Sequence, residues 1–265
     1  MSALCSSRAV DDTISIIEMS RKPVNSLNKE MIEALTAELD TVERSGAKAA
    51  VLTSAVPNIF SAGLDITEMW NPEETRLRAF WSSLQEMWLR FYGSSLALSA
   101  AIEGASPAGG CLLALTCDYR VMVDDARFTI GLNETALGIV APPWFAATMS
   151  NTVGHRHAER HLQLGTLMPP ADAWAIDMVD EVVPAGDVRA RAEAAAREFA
   201  AIPADARHSS KMRMRGATLD TMRSPEARKA DVDDFVSFCM QDSVQAGLTA
   251  YMEMLAKRAA AKKKK

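Results

Sequence analysis

The residues best placed to do chemistry lie in the stretch TIGLNETALGIV, Thr129 to Val140. Glu134 is its only charged side chain, set among Ile130, Leu132, Ala136, Leu137, Ile139 and Val140. An ionised carboxylate is costly to bury in such company. The same company raises its pKa and makes it a stronger base once it is deprotonated. Two further segments offer backbone donors. In IFSAGLDITEM, Ile59 to Met69, small Ala62 and flexible Gly63 let the backbone approach a ligand closely. In SPAGGCLLALTCDYR, Ser106 to Arg120, Gly109 and Gly110 stand directly before an apolar helix. Free N–H groups at a helix start, with the helix dipole behind them, stabilise negative charge. One donor from each segment would make an oxyanion hole. Each segment also has a plainer reading: a turn in which Asp65 caps the helix behind it, and glycines that serve close packing. Asn133-Glu134-Thr135 also fits the N-glycosylation pattern.

Other chemistries find less support. His157 and His161 in GHRHAERH share a helix face, but HAERH is not HExxH, so a solvated helix is expected and no metal. There is no GxSxG elbow, P-loop or GxGxxG. The basic segment RHSSKMRMR, Arg207 to Arg215, reads as a solvated helix face that could offer a cation to a phosphate. Cys5, Cys111, Cys117 and Cys239 form no CxxC pair and read as buried free thiols of a reducing compartment. With 29 basic and 34 acidic side chains the net charge is −5, which argues against a general nucleic-acid binder. The start MSALCSSRAV shows neither a signal peptide nor a transit peptide, so the glycosylation reading loses its premise. No apolar run suits a membrane span. The ending AKRAAAKKKK is not of the Ser-Lys-Leu type and reads as a frayed, solvated tail.

These segments need elements to position them. TISIIEMS, AAVLTS, SLALSAAI and YRVMV read as short buried strands. Between them, Met31, Ile32, Leu35, Leu39 and Val42 have helical spacing, in a helix expected to stop at Gly46. Phe80, Leu84, Met87, Trp88 and Phe91 mark a second helix, and CLLALTCDY reads as a buried third. Strands alternating with helices predict an α/β fold with a parallel or mostly parallel sheet covered on both faces. From about Pro142 onward the pattern is helical apart from DMVDEVVP. RARAEAAAREFAAI is a strong helix former. Phe235, Phe238, Val244, Leu248, Tyr251 and Leu255 are expected to cover the core or a neighbouring subunit.

In this order, the motifs KPVNSL, FSAGLD, PAGGC and GLNETALGI resemble those of the crotonase superfamily, the enoyl-CoA hydratases and isomerases, over nearly the whole chain. Their wording is most similar to that of the family's mitochondrial Δ3,Δ2-enoyl-CoA isomerases. The resemblance implies a spiral of ββα units over residues 1–195 and a C-terminal helical trimerisation region over 196–265. It implies a bent fatty enoyl-CoA substrate, with CoA as part of the substrate and no separate cofactor. Lys22, Pro23, Val24, Ala62, Gly63, Leu64, Asp65, Ile66, Gly110 and Asn133 would contact that substrate, and the N–H groups of Ala62 and Gly109 would hold the thioester oxygen. Glu134 would be the catalytic acid/base. Hydratases of the family carry two glutamates, and Leu112 stands where the other would be. One carboxylate suffices to move a proton from C2 to C4, so isomerisation is expected and hydration or another CoA-thioester reaction is the alternative. Glu103 and Asp118 do not fall on the hydratase position. A homotrimer in the mitochondrial matrix follows from the resemblance; a non-catalytic, RNA-binding trimer is a third, weaker reading.

Overall fold

Alternation along β2 (Ile14–Met19) sets the layers of the molecule. Ile14 and Ile16 face one apolar cluster, while Ile17 and Met19 face the other, as successive side chains of a strand must. The structure is a computed structural model that describes residues 3–262. The lysines of the expected frayed tail at Lys263–Lys265 lie outside the described residues. The main sheet also contains β1 (Cys5–Ala9), β3 (Ala49–Ser54), β4 (Ala97–Ile102), β6 (Tyr119–Val123) and β8 (Glu181–Val183), in the order β1-β2-β3-β4-β6-β8. Only the β1–β2 pair is antiparallel. β1 was not foreseen, since CSSRA has no apolar alternation; pairing with β2 makes it a strand. A second small sheet joins β5 (Ser106–Pro107) to β7 (Ile130–Gly131).

Helices cover both faces. α1 (Lys29–Arg44) buries Met31, Ile32, Leu35, Leu39 and Val42, the expected stripe, and Asn28 caps it by accepting from Met31 N–H. α2 (Glu74–Tyr92) buries the foreseen aromatic face and also Trp81. α3 (Gly109–Thr116) is buried along its whole length. α4 (Pro143–Val153), α5 (His155–Leu164) and α6 (Pro170–Trp174) follow the Glu134 segment. α7 (Val188–Ala200) lays Val188, Ala192, Ala196 and Ala200 on the sheet's other face, where small side chains allow a close approach. The chain ends in α8 (Ala204–Asp220), α9 (Pro225–Cys239) and α10 (Asp242–Lys262).

The basic segment on α8 differs from the expected solvated face. Lys211 is 6% exposed and Arg215 16%, and both pair with Asp118. Lys211 also donates to Ser94 O and Leu96 O, and Arg215 to Tyr92 O and Thr116 O. Two of its cations thus serve as internal anchors, since α8 buries only Leu219 of its apolar residues.

Candidate active site

The small sheet brings the motifs together. β5 leads into α3 and β7 leads into the segment of Glu134, so their pairing sets PAGG beside GLNE. The loop 59–65 is tied in from the side: Ile59 bridges to Ala105, and Phe60 N–H donates to Ala105 O at 3.0 Å. KPVNSL lies under this loop. Buried Asn25 donates through Nδ2 to Ser54 Oγ and Phe60 O, and its carbonyl accepts from Ser61 Oγ at 2.7 Å.

These elements enclose a cavity of about 100 Å³. Glu134 lines it and is 8% exposed. Both of its carboxylate oxygens are buried without a hydrogen-bond partner among the described residues. Burial therefore pushes its pKa up to about 7, because the charged form loses its water. Asn133 lines the cavity too, and its Oδ1 has no partner among the described residues.

The expected donor pair needs one correction. Ala62 lines the cavity, but its N–H is already committed to Val24 O at 2.9 Å. Leu64 also lines the cavity, and its N–H is not committed to an acceptor among the described residues. Leu27 N–H donates to Gly63 O, and Asp65 N–H donates to Leu27 O. This bridge uses the groups on either side of Leu64, so the Leu64 N–H faces away from it. Gly109, the first residue of α3, also has a free N–H, as helix starts do. The two are neighbours: a Cβ built on Gly109 would lie 3.1 Å from Leu64 N, and one on Gly63 would lie 3.0 Å from Gly109 N. Gly63 also has φ +84°, which a side chain would strain. Ala108 has φ 49°, a strained value for alanine, where the chain turns to start α3.

The remaining expected contacts divide. Leu64 and Ile66 line the cavity. Asp65 caps the turn after it, accepting from Thr67 N–H, and pairs with Arg21 at 2.8 Å. The foreseen capping role is thus present. Gly110 is packed against Ser61 O, which a Cβ would approach to 2.4 Å. Val24 offers its carbonyl to Ala62, while Lys22 and Pro23 are exposed beside it and do not reach the cavity. Leu112 is fully buried in α3. Neither nearby acid substitutes for a second glutamate: Glu103 is paired with Arg189 and Asp118 with Lys211 and Arg215, and neither lines the cavity.

The apolar wall was largely missed. It comprises Met69, Trp81, Phe145, Phe235 and Tyr251, with Leu137, Ile139, Val140 and Pro142 near Glu134. Phe235 and Tyr251 were expected to cover a core or a subunit; Phe235 does pack on the core, and both also line the cavity.

Comparisons with known proteins agree with this architecture. The profile of the Enoyl-CoA hydratase/isomerase family matches residues 9–260. Mitochondrial enoyl-CoA delta isomerase 1 of Mus musculus is 47% identical over 243 residues, 91% of this chain and 83% of the mouse protein. The Homo sapiens protein of the same name is also 47% identical, over 91% of this chain and 80% of its own length. The crystal structure of human mitochondrial delta3-delta2-enoyl-CoA isomerase superposes with a TM-score of 0.93 at 44% identity, covering 97% of this chain and 99% of that one. The chain belongs to the enoyl-CoA hydratase/isomerase family and has its crotonase fold.

Proposed function

We propose that this protein is a Δ3,Δ2-enoyl-CoA isomerase, in which one carboxylate moves a proton from C2 to C4 of a fatty 3-enoyl-CoA. The observation that carries the reading is that Glu134 is the sole carboxylate lining the described cavity, unpartnered and in the same cavity as Leu64. The Glu134 carboxylate takes the C2 proton, and the electron pair of that C–H bond passes to the thioester, giving a dienolate. The dienolate oxygen accepts hydrogen bonds from Leu64 N–H and Gly109 N–H. The oxygen's electron pair then re-forms the C1=O bond, the C1=C2 pair moves to C2–C3, and the former C3=C4 pair takes the proton back from Glu134 as the new C4–H bond. Water is neither added nor removed, so no second acid is required. CoA enters as part of the substrate, and the reaction calls for no other cofactor or metal.

The mouse and human relatives are mitochondrial by name, and the matrix is the compartment we assign. A homotrimer is the assembly we propose, with α8 on its interface.

The test is to follow 2-enoyl-CoA formation from a 3-enoyl-CoA with wild type and Glu134→Gln. Loss of at least about a hundredfold in kcat is expected, as for removal of a general acid/base. Wild-type turnover by the variant would sink the assignment. Faster hydration of crotonyl-CoA than isomerisation would favour the hydratase alternative.

A further inference from the structure

We propose that Asp231 is a positioning residue: it fixes an aromatic wall across the acyl end of the cavity, and that wall limits the acyl length the enzyme accepts. This rests on reading the cavity as the site of an enoyl-CoA acyl chain. Asp231 lies on α9, yet its carboxylate gathers three donors from two other helices. Its Oδ2 accepts from Trp81 Nε1 at 2.6 Å and from Gln85 Nε2 at 2.7 Å, both on α2. Its Oδ1 accepts from Trp144 Nε1 on α4 at 3.2 Å. Trp81 and Trp144 are 2% and 1% exposed, so their indole N–H groups depend on this acceptor.

The wall follows from that anchor. Phe235, one turn beyond Asp231 on α9, stacks on Trp81 with ring centroids 3.4 Å apart and planes 10° apart. Phe145 lies nearly parallel on Trp81, with centroids 6.3 Å apart. Trp81, Phe145 and Phe235 all line the cavity. The carboxylate type matters. Aspartate is acceptor-only and can serve all three donors, whereas asparagine would turn an NH₂ group towards N–H groups. Asp231→Asn therefore keeps the side chain's size while it repels part of the frame that holds Trp81.

The experiment measures both binding and turnover. Calorimetry gives Kd for hexanoyl-CoA and dodecanoyl-CoA, which lack the reacting double bond. Kinetics give kcat/KM for 3-hexenoyl-CoA and 3-dodecenoyl-CoA. Wild type should favour the shorter acyl chain. Asp231→Asn and Phe235→Ala should each shift the long-to-short ratio about tenfold towards the longer chain, in Kd and in kcat/KM. General destabilisation would lower both substrates together and leave the ratio in place. If Asp231→Asn does not fold, Trp81→Phe removes the same indole donor and keeps an aromatic ring. An unchanged ratio in Phe235→Ala overturns the wall. A shift in Phe235→Ala with none in Asp231→Asn, or in Trp81→Phe where that replaces it, overturns the role of Asp231. A wild type that binds with the expected length preference but isomerises nothing refutes the assigned reaction and leaves the wall standing. A wild type that binds neither acyl-CoA overturns both.

Discussion

At the residue scale, Glu134 makes two measurements move in opposite directions with pH. Its pKa is raised to about 7 by burial. The base form is needed at C2, so kcat/KM should fall as pH drops through about 7. A pH–rate profile with no acidic limb near that value would contradict the role. Stability has the other sign. A carboxyl whose folded pKa lies above its unfolded one binds more protons when folded, so its stabilising contribution is lost as pH rises towards about 7. Glu134→Gln, which never ionises, should therefore be more stable than wild type at pH values above that range, by on the order of 3 kcal/mol. The advantage should vanish at pH values below the ordinary carboxylate pKa; denaturant melts at both extremes check this. A lone acid in an apolar run made Glu134 legible in the sequence. The donor opposite it was not. Whether Ala62 or Leu64 keeps its N–H free is decided by pairing with Val24 and Leu27, more than thirty residues away in the chain, and the run FSAGLD carries no trace of that pairing.

At the element scale, the site depends on how closely α3 sits to the loop before it. Gly110 faces Ser61 O, and a Cβ there would come to 2.4 Å of that backbone oxygen. Gly110→Ala must push α3 away and carry the Gly109 N–H with it. We expect kcat to fall by an amount equivalent to about 3 kcal/mol, the typical effect of one lost oxyanion donor, with Glu134 untouched. Steady-state kinetics at saturating substrate measure it, and a change confined to KM would argue against the donor's role. Asn25 supports the same loop from below. Asn25→Ala removes its bonds to Ser54 Oγ and Phe60 O in a fully buried place, so a loss of about 1–3 kcal/mol in unfolding free energy is expected. An unchanged denaturation midpoint would show that the loop stands without it. The strands and helices were legible because one buried stripe fixes each period, as in α1. The cavity wall was not, because Trp81 adjoins the expected helix stripe and meets Phe235 only across a large span of chain.

At the scale of the whole molecule, the last helices carry two unlike surfaces. Phe235 and Tyr251 turn inward to the cavity. α8 is instead held to the body by Lys211 and Arg215 on Asp118 and on backbone carbonyls, which leaves apolar side chains outside. Met214 is 79% exposed on α8, and Ile202 just before it is 52% exposed. Both line one groove with Phe199, Ala206 and Arg207. Two apolar side chains this open in one groove suit a partner surface better than water. Copies of this chain are the partner we propose, with the wild type sedimenting at three times 28.7 kDa, about 86 kDa. Met214→Glu should still fold, since the side chain is largely exposed and touches little within its own chain. It should nonetheless lower the sedimenting mass towards that of one chain, because a carboxylate brought into an interface must give up its water. If wild type sediments as a single chain, the trimer is wrong; if the variant keeps the trimer's mass at every concentration tested, the interface lies elsewhere than α8.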